Sequence, residues 1–247
     1  MHADRRGELA GNLAEVRARI AAACAAAGRP DDEVTLIAIT KTFPAADAAL
    51  LYELGVGDFG ENRDREAAPK ILEARELGVR ARWHFVGQLQ VNKSASVVSY
   101  ADVVHSVDRP RLVRALGSHA VAAGRPITCL VQVSLDDVGS SASPGDAPAE
   151  SGRGGARPAD VPALAGLIAS TDGLVLGGVM AVAPLGSPAR PAFARLFRVA
   201  EAVRAEHENA MMISAGMSGD LDDAIAEGAT HVRVGTALLG GRRPFVR

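Results

Sequence analysis

Short apolar runs rich in β-branched residues alternate along the chain with stretches of helical spacing. The runs are Val34–Thr40, Gly57–Gly60, Trp83–Val86, Val103–Ser106, Ile127–Val133, Leu174–Val182, Met211–Ser214 and His231–Val234. Most are continuously apolar, as strands covered on both faces of a parallel sheet should be. Between them the spacing predicts helices near Ala45–Leu54, Arg63–Arg75, Lys93–Ser99, Arg111–Ala123, Val161–Ser170, Ala189–His207 and Leu221–Glu227. Ahead of the first strand, Leu9, Leu13, Val16 and Ile20 mark one more helix, from Glu8 to Ala27, which Gly28 and Pro30 stop. Strands and helices in strict alternation predict an α/β fold, a (β/α)8 TIM barrel with an extra N-terminal helix, in a single domain over residues 1–247. An open doubly wound sheet is the alternative, but no Gly-x-Gly-x-x-Gly turn follows the first strand.

One stretch breaks the alternation. Residues 136–160 are rich in Ser, Gly, Pro, Asp and Ala and have no apolar period, so they read as a flexible loop inserted in the domain. A lid over a pocket and a solvated, idle loop are both open readings, the second the simpler.

Composition narrows the function classes. The 247 residues are 48% hydrophobic, enough for a full core, and the formal net charge is −2. That balance offers no basic surface to nucleic acid or to an acidic membrane. Aromatics, at 4%, are too few for a base-stacking platform. Cys24 and Cys129 lack metal-ligand spacing and read as core thiols of a reducing cytoplasm. The charged segment Met1–Glu8 is not an apolar leader, and no apolar run reaches membrane-spanning length.

In a barrel of this kind the loops after the strands build the active face. The first delivers Lys41. Apolar walls disfavour a lysine's charged form and free its amine, which condenses with an aldehyde to a Schiff base. The plainer reading is a lysine marking where the strand leaves the core. The loops after strands seven and eight resemble a phosphate cradle. Ser214, Gly216, Ser218 and Gly219 precede a helix starting near Leu221, and Gly235-Thr236 makes a second small-polar turn. Small residues let backbone N–H groups approach an anion, and a helix N-terminus adds its dipole; ordinary turn chemistry is the alternative. Arg233 alternates with Val232 and Val234, so it points into the barrel and needs a partner there. A carboxylate such as Glu61 would serve, and so would the ring nitrogen of a pyridine cofactor, which an arginine keeps unprotonated and weak as an electron sink.

An amine for an aldehyde, a cradle for a phosphate and a group facing a pyridine together describe pyridoxal 5′-phosphate (PLP). Here the chain resembles the pyridoxal phosphate homeostasis protein family over nearly its whole length. The resemblance rests on Trp83-His84-Phe85-Val86-Gly87 with Leu89-Gln90, Asn92-Lys93 and Val97. It extends to Thr40-Lys41-Thr42 with Pro44, Gly60-Glu61-Asn62, His105-Ser106-Val107-Asp108, Gly216-Met217-Ser218 with Asp220, and Arg233-Val234-Gly235-Thr236. It implies a barrel like the N-terminal domain of alanine racemase, with the cofactor on Lys41. It implies that Ser214, Ser218, Gly235 and Thr236 hold the phosphate, that Gly216 and Met217 belong to the same binding loop, that Arg233 meets the pyridine nitrogen, and that Asn62 lines the pocket. His84 is left between ligand contact and strand brace, Glu61 between balancing Arg233 and capping the next helix, and Lys93 reads as a surface lysine. Phe43 and Ala215 depart from the family's usual residues, and the 136–160 insertion is longer than usual.

The resemblance implies a non-catalytic carrier in vitamin B6 homeostasis, holding PLP as a reversible Schiff base on Lys41 and supplying it to apo-enzymes by transient contact. A racemase of the alanine racemase type is the alternative. That reaction needs an acid–base group on each cofactor face, and the racemase takes its second, a tyrosine, from a β-domain with no counterpart before Arg247. Tyr52 and Tyr100 fall away from the strand ends. A missing dimer-forming domain points to a monomer, with no nucleic-acid, membrane or metal partner expected.

Overall fold

The computed structural model describes residues 2–136 and 154–241. Their strands are β1 (Thr35–Ile39), β2 (Asp58–Glu61), β3 (Arg82–Phe85), β4 (Val103–Val107), β5 (Ile127–Gln132), β6 (Leu174–Met180), β7 (Met212–Ser214) and β8 (His231–Val234). They form a closed parallel barrel in sequence order, with β8 pairing back onto β1 (Leu36 beside Val232, Ile37 beside Arg233). The short apolar runs therefore become strands at all eight expected places, including the brief second one.

The helices are α1 (His2–Ala26), α2 (Ala45–Glu53), α3 (Asp64–Glu76), α4 (Ser94–Tyr100), α5 (Pro110–Ala122), α6 (Val161–Ala169), α7 (Ala189–Glu206), α8 (Leu221–Ala226) and α9 (Thr236–Leu239). Leu9, Leu13, Val16, Ile20 and Cys24 form one buried stripe on α1, which lays the helix against α2, α8 and α9. Its end is set by Gly28 at φ 66°, where Arg29 N–H reaches Cys24 C=O at 2.9 Å and Gly28 N–H reaches Ala25 C=O at 3.1 Å. Those two bonds satisfy the last carbonyls in a left-handed cap that favours glycine.

One apolar cluster fills the space between strands and helices, with Phe59, Trp83, Phe85, Phe193 and Leu116 among its fully buried members. Phe59 and Trp83, on the outward faces of β2 and β3, pack with ring centroids 5.2 Å apart. A separate small cluster of Val103, Leu130 and Met180, with Val182 and Met212 against it, sits among strands β4 to β7.

Most of the 136–160 insertion lies outside the described residues. Its end is ordered onto the barrel: Ala156 N–H donates to Gln132 C=O at 2.7 Å and Ser134 N–H to Ala156 C=O at 2.8 Å, a parallel bridge that prolongs β5. A short 3-10 turn, Pro158–Asp160, then leads into α6. Composition could not reveal this pairing, because two backbone hydrogen bonds leave no apolar period.

Candidate cofactor site

Lys41 follows β1 in a tight turn that Phe43 N–H closes onto Thr40 C=O at 3.0 Å. Thr42, at φ 67°, is the one non-glycine residue with positive φ among the described residues, a conformation that costs a side-chain-bearing residue roughly 1–2 kcal/mol. The turn is braced from behind. Lys70 on α3 donates to Thr40 C=O and to Glu61 Oε1, each at 2.7 Å, and Thr40 Oγ1 donates to the same Glu61 oxygen at 2.7 Å. Lys41 itself is half-buried and makes no hydrogen bond or ion pair among the described residues. Its amine is thus held in place by its backbone and left free at its tip.

Two glycines explain how Asn62 reaches the same rim. A Cβ on Gly60 would come within 2.4 Å of Ile39 Cδ1, and one on Gly87 within 2.0 Å of Asn62 C=O. The Gly that ends the Trp83–Gly87 motif is therefore needed for the β3 loop to lie against the backbone of Asn62.

The loops after β7 and β8 meet. Gly216 turns at φ 86°, where a Cβ would strike Ala224 Cβ at 2.6 Å, and its C=O accepts from Arg233 N–H at 2.9 Å. Met217 N–H is taken by Asp220 Oδ1 at 2.6 Å, and Ala237 N–H reaches Ser218 Oγ at 3.4 Å. The N–H groups of Ser218, Gly219 and Thr236 donate to no acceptor among the described residues. Because α8 has six residues and α9 four, their dipoles add little at this turn; what it offers an anion is individual N–H groups. Helix α1 ties this face down from outside. Arg19 Nη1 donates to Ser218 C=O at 2.6 Å, Asn12 Nδ2 to Leu238 C=O at 3.0 Å and Arg5 Nη2 to Leu239 C=O at 3.1 Å. None of these three stood out in the sequence, since each looks like solvated helix surface. Arg5 also bonds Asp47 and lies 5.7 Å from the ring centroid of Phe43.

Arg233 points inward as its alternation predicts and is buried. Its Nη1 donates to Ser214 Oγ at 2.6 Å and its Nη2 to Ala181 C=O at 2.9 Å. Neither partner is charged, and burial pulls the guanidinium down to about 10. Glu61 neither balances Arg233 nor caps α3: it is spent on Lys70 and Thr40. Burial raises its carboxyl above the usual range despite Lys70, and its Oε2 has no partner. Ser214 differs from expectation as well. Its side chain turns into the barrel, where Oγ meets His105 Nδ1 at 3.0 Å as well as Arg233, so it lies beneath the cradle rather than in it. His84 is a fully buried brace, with Nδ1 2.8 Å from His105 Nε2 and Nε2 2.9 Å from Asp58 Oδ1. Lys93 is exposed on the 3-10 turn Val91–Lys93. Gly235, where a Cβ would come to 3.4 Å from Ile39, and Thr236 take their places on the β8 turn.

The fold and this rim define the barrel class of PLP proteins to which alanine racemase belongs: the family described as "Alanine racemase, N-terminal domain" matches residues 11–243. Within that class, the pyridoxal phosphate homeostasis protein of Mycobacterium tuberculosis is 43% identical over 257 residues, covering 97% of this chain and 95% of that protein. The chain belongs to the pyridoxal phosphate homeostasis protein family. PipY of Synechococcus elongatus, in a structure with PLP bound, is 33% identical with a TM-score of 0.77, covering 94% of this chain and all of that one. Alanine racemase from Corynebacterium glutamicum shares the fold at a TM-score of 0.66 and 13% identity, covering 94% of this chain and 60% of its own.

Proposed function

We propose that this chain binds pyridoxal 5′-phosphate reversibly through Lys41 and serves vitamin B6 homeostasis as a carrier that supplies apo-enzymes. The observation that carries the reading is the partner-free amine of Lys41 in a braced turn, on the same rim as the two-loop cradle and the buried Arg233. The residue set fits the cofactor. A buried guanidinium whose contacts are all neutral is stabilised by an electron-rich ligand, and cradle N–H groups without acceptors suit phosphate. The PLP bound to PipY and the names of the bacterial relatives support the same reading.

Bound there, the cofactor supplies an aldehyde carbon that an amine attacks reversibly. Lys41 provides the amine and Asn62 lines the pocket beside it. Ser218, Gly235 and Thr236, with the loop backbone of Gly216 and Met217, take the phosphate. Arg233 faces the ring nitrogen, and Ser214 supports Arg233 from below. No residue is assigned a catalytic step. Both tyrosines sit on outer helices, Tyr52 on α2 and Tyr100 on α4, and Tyr100 O–H is turned to Asp64 at 3.3 Å. Neither stands at the rim where a racemase places its second base. The protein acts in the cytoplasm as a monomer. No helix among the described residues is long and apolar enough to cross a membrane, and none of them forms a cluster that could hold a metal ion.

Borohydride reduction of protein loaded with PLP, followed by peptide mass spectrometry, tests the anchor. Lys41 is expected to carry the label and Lys41→Ala to lose both label and visible absorbance; a label found only on another lysine overturns the assignment. Exchange of α-deuterium from amino acids at ordinary enzyme rates would overturn the carrier reading.

A further inference from the structure

Five side chains from five strands form one unbroken hydrogen-bonded line across the barrel. It runs from Arg233 Nη1 to Ser214 Oγ (2.6 Å), on to His105 Nδ1 (3.0 Å), from His105 Nε2 to His84 Nδ1 (2.8 Å), and from His84 Nε2 to Asp58 Oδ1 (2.9 Å). Its ends fix its direction. An ionised Asp58 only accepts, so His84 donates from Nε2 and, being neutral, offers its Nδ1 lone pair. His105 must then donate from Nε2 and accept at Nδ1, which leaves that place to the Ser214 proton. Arg233, which only donates, takes a Ser214 lone pair. Burial lowers both imidazoles, that of His105 far below its usual range, so both rings are neutral. Burial alone would raise Asp58, but its hydrogen bond from His84 and the nearby Arg82 hold it below the ordinary carboxylate range.

We propose that Asp58, His84 and His105 are positioning residues of the cofactor site: they commit the only proton of Ser214 and so hold Arg233 as the fixed donor to the cofactor ring. The proposal rests on the reading of the site given above. Asp58 lies at the start of β2, with its side chain partly exposed in a cleft on the far face lined also by Arg17, Asp31 and Asp32. The orientation of a group at the rim is thus set by a carboxylate that does not touch the cofactor. The same logic operates where a buried aspartate fixes a histidine tautomer and its replacement by asparagine keeps the shape but admits the wrong one.

Asp58→Asn is the test. Asparagine keeps the size but donates as well as accepts, which releases the direction of the line. In 15N-labelled apo-protein, the wild-type rings of His84 and His105 are expected in the Nε2–H form, and Asp58→Asn is expected to shift His84 towards Nδ1–H. The loaded variant is expected to show a displaced visible band and, as for other residues that orient a ligand-contacting group, retention of PLP weaker on the order of tenfold. His105→Gln, which keeps one donor and one acceptor, is expected to hold PLP better than His105→Phe, which fills the space and breaks the line. Wild-type rings in the Nδ1–H form, or tautomers unmoved by Asp58→Asn, overturn the line. Moved tautomers with an unchanged band and unchanged retention overturn the positioning role alone. Wild-type protein that takes up no PLP overturns the site reading as well, and is recognised independently of the apo-protein tautomers.

Discussion

The mantle between strands and helices and the lumen inside the strands are both largely buried, yet they are filled by opposite means. The mantle is one continuous apolar cluster holding Phe59, Trp83, Phe85 and Phe193. Among the described residues, the lumen holds the small cluster around Val103, Leu130 and Met180 and the buried Ile37 and Ile39 of β1, beside a polar line from Asp58 to Arg233. Apolar burial stabilises without specifying one arrangement, whereas a buried polar line is costly unless each member is satisfied and then permits a single arrangement. The barrel therefore carries most of its apolar packing outside its strands and its polar line inside them. Glu61 is an exception on the mantle side: it shares the outward face of β2 with Phe59 and bonds Lys70 of α3, and its Oε2 is buried without a partner.

The mantle is where a single substitution should cost most. Phe59→Ala is expected to cost about 3–5 kcal/mol of unfolding free energy, by lost transfer and a cavity beside Trp83. The fraction of folded molecules that retain PLP should not change. Urea unfolding checks the first part and absorbance of the loaded protein the second; a variant that stays stable would show that the mantle is loosely packed.

Acid attacks the lumen. Burial lowers His84 and His105 and brings His231 down to about 4, whereas in the unfolded chain such groups take up protons near 6.5. Folded pKa values below unfolded ones mean that this contribution is complete above about pH 6.5 and is lost as pH falls from there, for His231 down to about 4. Each ring adds up to about 1.4 kcal/mol per pH unit to that slope. Glu61, with its raised carboxyl, works in the opposite sense. Unfolding free energies at pH 7 and pH 5 are expected to differ accordingly, and His105→Gln is expected to flatten the slope. A flat wild-type profile would mean that the rings are not sealed as neutral groups.

Arg233→Met is expected to have the smallest effect on stability. It replaces a buried cation that has no carboxylate contact with an apolar chain of similar reach, so unfolding free energy should stay within about 1 kcal/mol of wild type or rise. Retention of PLP should fall in the same protein. A large loss of stability with unchanged retention would make Arg233 a structural strut and erase the distinction between lumen and mantle.

The barrel was legible because strands covered on both faces read as apolar runs and the helices between them keep a period near 3.6. Lys41 and Arg233 were legible because charges at or inside such runs stand out. Asp58, His84 and His105 were not assembled, because each by itself reads as a strand-edge or core polar residue. Helix α1 hid Asn12 and Arg19 among ordinary surface residues, although they fasten the cradle.

The sequence by itself determined the order of elements, the inward direction of Arg233 and the small-residue turns after β7 and β8, since these depend on local period and on what glycine permits. Only the tertiary structure decided that Ser214 serves Arg233 and His105, that Glu61 answers to Lys70, and that Asp58 stands behind the site from the far face. Those pairings depend on strand register, in which Gly60 lies beside His84 and Ser214 beside His231, and on the closure of β8 onto β1. Register and closure bring together residues far apart in sequence, such as His105 and Ser214, 109 positions apart, and a local pattern does not encode a distance of that kind.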